Sequence, residues 1–160
     1  MSPHALLLEK LETNACRFRL VEHPSAGKSV EVALARGTEV GQGAKALICS
    51  STHTDGSVQF VLAVLPADRK LSTSQLAEHL GAKKIRLVSA DKANELTGCV
   101  VGAIPPFSFN EELKLVADPE LFERYSEIAF NAGRLDRSII LNSDDYLRVA
   151  RPVLTKIAEH

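Results

Sequence analysis

Gly43-Ala44-Lys45-Ala46-Leu47-Ile48-Cys49 and Phe60-Val61-Leu62-Ala63-Val64-Leu65-Pro66 are two short apolar runs, separated by Ser50 to Ser57 with Asp55-Gly56 inside the connection. Apolar runs of this length around an Asp-Gly turn read as an antiparallel strand pair, which puts a hairpin at the centre of the fold. Lys45 starts the first run. A lysine in a buried strand must snorkel its ammonium to water, find a partner or meet a ligand, because burying an unpaired charge is expensive. Two readings therefore stand side by side: a snorkelling cation, and a cation facing a pocket.

The totals narrow the function classes. At 160 residues the chain is long enough for one domain over 1–160 with a core of its own, and 45% hydrophobic with 24% charged residues argues against disorder. A net charge of -1 lacks the basic footprint of a protein that wraps duplex nucleic acid, while leaving room for a contact to one phosphate or a single-stranded end. Cys16, Cys49 and Cys99 form no CxxC and have no histidine at ligand spacing, so neither a metal site nor a disulfide framework is expected, and no cofactor is implied. Leu6-Leu7-Leu8 is too short for a signal segment and no run approaches membrane-spanning length, so the expectation is a reduced, cytoplasmic protein with no membrane partner.

Outward from the hairpin, Leu7, Leu8, Leu11 and Ala15 fall on one face of a helix over about 4 to 14, started by Ser2-Pro3. Phe18 and Leu20 alternate with Arg17 and Arg19 in a strand ending near His23-Pro24, and a short helix follows from Ser29, its proposed cap, to Gly37. After the hairpin, Ser72 or Ser74 opens a helix closed by Gly81, Lys83 to Val88 alternates as a strand, and Asp91 caps a brief helix through Leu96. Leu113 to Ala117 is a strand, Ser126 to Ala132 and Ser138 to Leu141 are two more around Gly133 to Asp136, and Ser143 caps a closing helix. Strict strand-helix-strand alternation is missing. The expected class is therefore α+β, a mixed, mostly antiparallel sheet curled into a barrel with helices packed outside.

Gly98-Cys99-Val100-Val101-Gly102 is followed by Ala103-Ile104-Pro105-Pro106, a backbone that bends sharply and lets something approach it closely. It is either a plain turn between elements or a loop whose free N–H groups form an oxyanion or phosphate cradle. It matches neither nucleotide-binding glycine fingerprint.

GQGAKALICS, VLAVLPADRKL and ELTGCVVGAIPPFSF, followed by LKLVADPELFERYSEIAFNAGRLDRSIIL, together resemble the YbaK family, free-standing relatives of the editing domain inserted in prolyl-tRNA synthetase. The resemblance runs from about Glu31 to Leu147 and is nearest to the YeaK-like branch. It implies a trans-editing hydrolase that cleaves the ester of mischarged aminoacyl-tRNA, with tRNA as partner and an aminoacyl-tRNA synthetase as a further candidate. It implies that Lys45 is the essential lysine and that Gly98 and Gly102 bound the catalytic loop. It places one wall of the amino-acid pocket in the Phe130 to Ile139 stretch. On this basis Leu34, Cys99, Val101, Asn131, Ala132, Gly133, Asp136 and Ser138 are expected around the substrate. Members acting on alanine tend to carry a histidine in that wall, which this chain lacks, so the expected substrate is a small or hydroxylated amino acid such as serine, threonine or alanine, with no preference for alanine implied.

An aminoacyl ester is already activated, so such a site needs only to hold the carbonyl, stabilise the oxyanion and admit a water. No side chain stands out as a general base, and the expectation is that the substrate's own ribose hydroxyl or amine positions the water. Cys99, with no basic neighbour in sequence, reads more simply as a small buried hydrophobe than as a nucleophile. Asp136 and Ser138 are either turn residues or partners of a hydroxylated side chain. Lys83, Lys84, Arg86, Arg134 and Arg137 are either a solvated face or the contacts for an acceptor stem. The competing function is a non-catalytic module that binds an aminoacyl group or nucleotide in the same pocket.

Overall fold

The computed structural model describes residues 1–159. In chain order they form α1 (Pro3–Thr13), β1 (Phe18–Glu22), α2 (Ser29–Arg36), β2 (Ala44–Thr52), β3 (Val58–Pro66), β4 (Lys70–Leu71), α3 (Thr73–Leu80) and β5 (Lys84–Leu87). Then come α4 (Ala90–Thr97), β6 (Leu113–Ala117), α5 (Glu120–Arg124), β7 (Glu127–Arg134), β8 (Arg137–Asn142), α6 (Ser143–Ala150), β9 (Val153–Leu154) and β10 (Ala158–Glu159).

The hairpin is the centre of the larger sheet: β2 pairs antiparallel with β3 from Ala44 opposite Pro66 to Thr52 opposite Val58. That sheet runs β5-β2-β3-β6-β9, with β3–β6 and β6–β9 parallel. A second sheet, β1-β8-β7, is antiparallel throughout, and β4 with β10 makes a short third pair. The class is α+β and most pairings are antiparallel, but no closed barrel forms among the described residues. The two larger sheets meet at a single parallel bridge, Gly43 with Ala129. The reason is visible in β2: β5 pairs only with Cys49 to Thr52, and a 3-10 turn at Val40–Gln42 precedes Gly43. The edge from Ala44 to Leu47 thus has no strand beside it on the β5 side.

Alternation along the hairpin separates two apolar layers. Ala44, Ile48, Leu62 and Val64 join Leu7 and Leu11 of α1, Phe130 of β7 and Tyr146 of α6 in the main core. Cys49, Val61 and Ala63 face the other way, onto Leu76 of α3 and Ile157. Phe107 sits edge-on to Tyr146 at 5.1 Å, and Phe122 stacks on Tyr146 at 5.3 Å. Tyr146 is fully buried, and its hydroxyl donates to the Pro106 carbonyl at 2.6 Å, anchoring the double-proline segment to the core.

Three helix starts differ from expectation by a residue or two. Ser89, not Asp91, caps α4, and Asn142, not Ser143, caps α6, because in each case the earlier side chain reaches the N–H three residues on. Ser143 instead donates its hydroxyl to the Tyr125 carbonyl. Ser29 is the first residue of α2 and makes no capping bond; Lys28 holds the cap position. Ser72 and Gly81 bound α3 as read.

Candidate functional site

The start of β2, uncovered on its β5 side, forms one wall of a cavity of about 340 Å³. α2 and its approach supply Lys28, Ser29, Val32, Ala33 and Arg36; β7 supplies Phe130 and Asn131; the glycine loop supplies Val101 and Gly102. Lys45 and the loop therefore line the same space. Among the described residues no carboxylate, imidazole or thiol lines it.

Lys45 is half-buried, and its ammonium donates to the Arg69 carbonyl. Burial pushes its pKa below the usual lysine range, with Asp68 acting in the opposite direction. The turn that presents this carbonyl is braced by ion pairs: Asp68 to Arg124 at 2.7 Å and Arg69 to Glu120 at 3.0 Å. An ammonium has three donors, so one tether fixes its position and leaves two for a ligand.

The two loop glycines have different surroundings. Gly98 ends α4 in the left-handed region (φ 74°), its N–H donating to the Asn94 carbonyl, and it lies outside the cavity lining. Gly102 (φ 92°) lines the cavity and passes so close to Gly27 that a Cβ there would stand 3.2 Å from the Gly27 Cα. The N–H of Cys99 donates to the Thr97 hydroxyl and that of Ala103 to the Val100 carbonyl. Among the described residues the N–H groups of Val101 and Gly102 have no partner in the chain.

Asn131 holds this loop from below. Its side-chain amide donates to the carbonyls of Gly102 and Ala26, both at 2.8 Å, and its oxygen accepts from the Ser138 hydroxyl at 2.9 Å. Ser138 in turn contacts His23 Nε2 at 2.7 Å, and His23 Nδ1 contacts the Pro24 carbonyl at 2.8 Å.

Other residues expected around the substrate lie elsewhere. Leu34 is 79% exposed and outside the lining, because the register of α2 turns Val32, Ala33 and Arg36 inward instead. Cys99 is buried beside a separate cleft, and burial raises its thiol pKa, which keeps the sulfur protonated. Ala132 is buried with its carbonyl bound to His4 Nδ1, and the Gly133 N–H donates to the Ala103 carbonyl. Asp136 pairs with Arg134 at 2.9 Å and with Arg137 at 3.2 Å on the β7–β8 turn; its hydrogen bond with Arg134 is the main reason its pKa is lowered. Lys83, Lys84 and Arg86 are exposed on or beside the edge strand β5 and make no ion pair among the described residues. They belong to a different sheet from Arg134 and Arg137.

Sequence reasoning passed over three residues: Arg36, Lys28 and His23. For Arg36 a signal existed, since it falls three and four positions after Ala33 and Val32 and so shares the apolar face of α2. Lys28 and His23 carried none beyond their residue type.

The chain is a member of the aminoacyl-tRNA editing domain family, whose model matches residues 23–149. Among its relatives is the multifunctional Ser/Thr-tRNA deacylase ProXp-y of Escherichia coli (strain K12), 54% identical over 94% of this chain and 90% of that protein. A proline--tRNA ligase of Trichlorobacter lovleyi is 29% identical over 73% of this chain and 19% of the ligase. A crystal structure of a candidate trans-editing enzyme for prolyl tRNA synthetase superposes with a TM-score of 0.80 at 24% identity, covering 100% of this chain and 99% of that one, which shows the shared fold.

Proposed function

We propose that this protein is a trans-acting deacylase that hydrolyses the ester between tRNA and a wrongly attached serine or threonine. The observation that carries the reading is the shared cavity of Lys45 and the Val101-Gly102 backbone, in a chain 54% identical to a Ser/Thr-tRNA deacylase. Water adds to the acyl carbonyl, the terminal ribose oxygen leaves with a proton, and the products are the free amino acid and uncharged tRNA. The two spare donors of Lys45 and the unpartnered N–H groups of Val101 and Gly102 are suited to an oxygen that gains negative charge. No carboxylate, imidazole or thiol lines the cavity, so the substrate's own vicinal ribose hydroxyl or free α-amine positions the water, and the proton the water sheds passes to the leaving ribose oxygen. A near-neutral chain binds tRNA weakly by charge alone, so Lys83, Lys84 and Arg86 are assigned to the acceptor stem, and a synthetase is a fitting second partner.

The test is a panel of tRNAs charged with serine, threonine, alanine, cysteine and proline, incubated with wild type and Lys45→Ala. Wild type is expected to release serine and threonine, with Lys45→Ala slower by roughly 100-fold or more. Intact esters after incubation with wild type would favour a binding module without hydrolysis.

A further inference from the structure

Three cations border the cavity at different depths. Lys28 is exposed, Lys45 is half-buried, and Arg36 is only 9% exposed. Arg36 is the one without support: its Nε and Nη1 are shut off from solvent and have no hydrogen-bond partner, and no acidic group pairs with it among the described residues. Burial alone lowers its pKa to about 10. An arginine is rarely buried this way, because an uncompensated charge in the interior destabilises the fold. Arg36 also lines the cavity, so a group entering there reaches the neighbourhood of its side chain.

We propose that Arg36 is the anion-binding residue of this pocket, its planar fork receiving an oxygen anion of the substrate end. The inference rests on the deacylase reading only for the identity of that substrate. In an aminoacylated 3' end such an oxygen comes from two sources: the phosphodiester 5' to the terminal ribose, and the acyl oxygen as it becomes charged during hydrolysis. A guanidinium suits either because it offers paired donors in a fixed plane and stays ionised.

The variants are Arg36→Met, which keeps bulk and removes charge, and Arg36→Lys, which keeps charge and removes the fork. The substrates are seryl esters of adenosine with and without a 5'-phosphate, with AMP as a non-reacting probe. If the anion is the phosphodiester, AMP raises the melting temperature of wild type and not of Arg36→Met, a readout independent of hydrolysis; if it is the acyl oxygen, AMP protects both alike. Arg36→Met itself should melt at the same temperature as wild type or higher, since it removes an unpaired buried charge; a structural arginine would give the reverse. If the anion is the phosphodiester, wild type prefers the phosphorylated ester by roughly 10- to 100-fold, and Arg36→Met erases the preference. If it is the acyl oxygen, Arg36→Met lowers kcat on both esters by a similar factor and leaves the preference in place. Arg36→Lys should fall between wild type and Arg36→Met. Wild-type rates and AMP response in Arg36→Met would overturn the inference. Failure of wild type to deacylate the charged tRNAs of the panel, with AMP protection still dependent on Arg36, would instead overturn the deacylase reading alone.

Discussion

Ser138 works one hydrogen bond behind the cavity wall. It donates its proton to Asn131 and contacts His23 Nε2, and Asn131 pins the Gly102 carbonyl. Ser138→Ala would leave two buried polar groups, the Asn131 oxygen and the His23 Nε2, without their serine partner. The expected loss of stability is about 1 to 3 kcal/mol, measured by denaturant unfolding, with a fall in kcat/KM as the loop loosens. Unchanged unfolding would mean the three side chains are not coupled. From the sequence Ser138 was open between a turn residue and a partner for a hydroxylated substrate; its position behind Asn131 depends on a contact with His23, 115 residues away. Lys45 was legible because a charge inside an apolar run is locally conspicuous. Arg36 was not singled out, since a basic residue near a helix end usually serves the helix dipole and meets water.

The Gly98 to Gly102 segment separates into a cap and a wall, and substitution should separate them too. At Gly102 an added Cβ would meet the Gly27 backbone at 3.2 and 3.3 Å, atoms that cannot swing aside, on top of an unfavourable φ. Gly102→Ala is therefore expected to displace the unpartnered N–H groups and cut kcat/KM by roughly 100-fold, as loss of an oxyanion donor does elsewhere. At Gly98 the nearest atom would be the Pro3 Cγ at 3.1 Å, away from the cavity lining. Gly98→Ala should cost about 1 kcal/mol, the usual penalty of a left-handed helix cap without glycine, and lower the melting temperature more than it lowers kcat/KM. Equal effects on rate at the two positions would mean the loop acts as one cradle. Elements with strong periodicity or turn chemistry, such as β6 and α3, were readable from sequence. β4, β9 and β10 have two residues each, too few for a pattern. The pairing of β10 with β4 is supported instead by the buried Asp118 carboxylate, which accepts from the N–H groups of Ile157 and Ala158, both at 2.8 Å.

Across the molecule, the cavity exists because two sheets that share one bridge leave an edge of β2 uncovered, and carboxylates on the periphery hold the surrounding parts in place. Sequence periodicity suggested the sheet but could not tell closure from near-closure, which depends on where β5 stops along β2. Asp145 accepts from the Arg17 backbone N–H at 2.8 Å and its Nε at 3.0 Å, tying the start of β1 to α6. Asp68 grips Arg124 beside the turn that tethers Lys45. Hydrogen bonds from Arg17 hold the Asp145 carboxyl well below the usual range, and those from Arg124 lower that of Asp68. A depressed carboxyl binds its proton more readily in the unfolded chain, so its contribution is full above the unfolded value of about 4 and is lost as pH falls below it. The melting temperature should thus hold between about pH 7 and pH 5 and decline steadily toward about pH 2. Asp145→Asn should melt lower than wild type at neutral pH, yet lose less on acidification, so that the two curves converge at the acid end. Parallel curves over the whole range would show that the link between Arg17 and α6 is not what acid breaks.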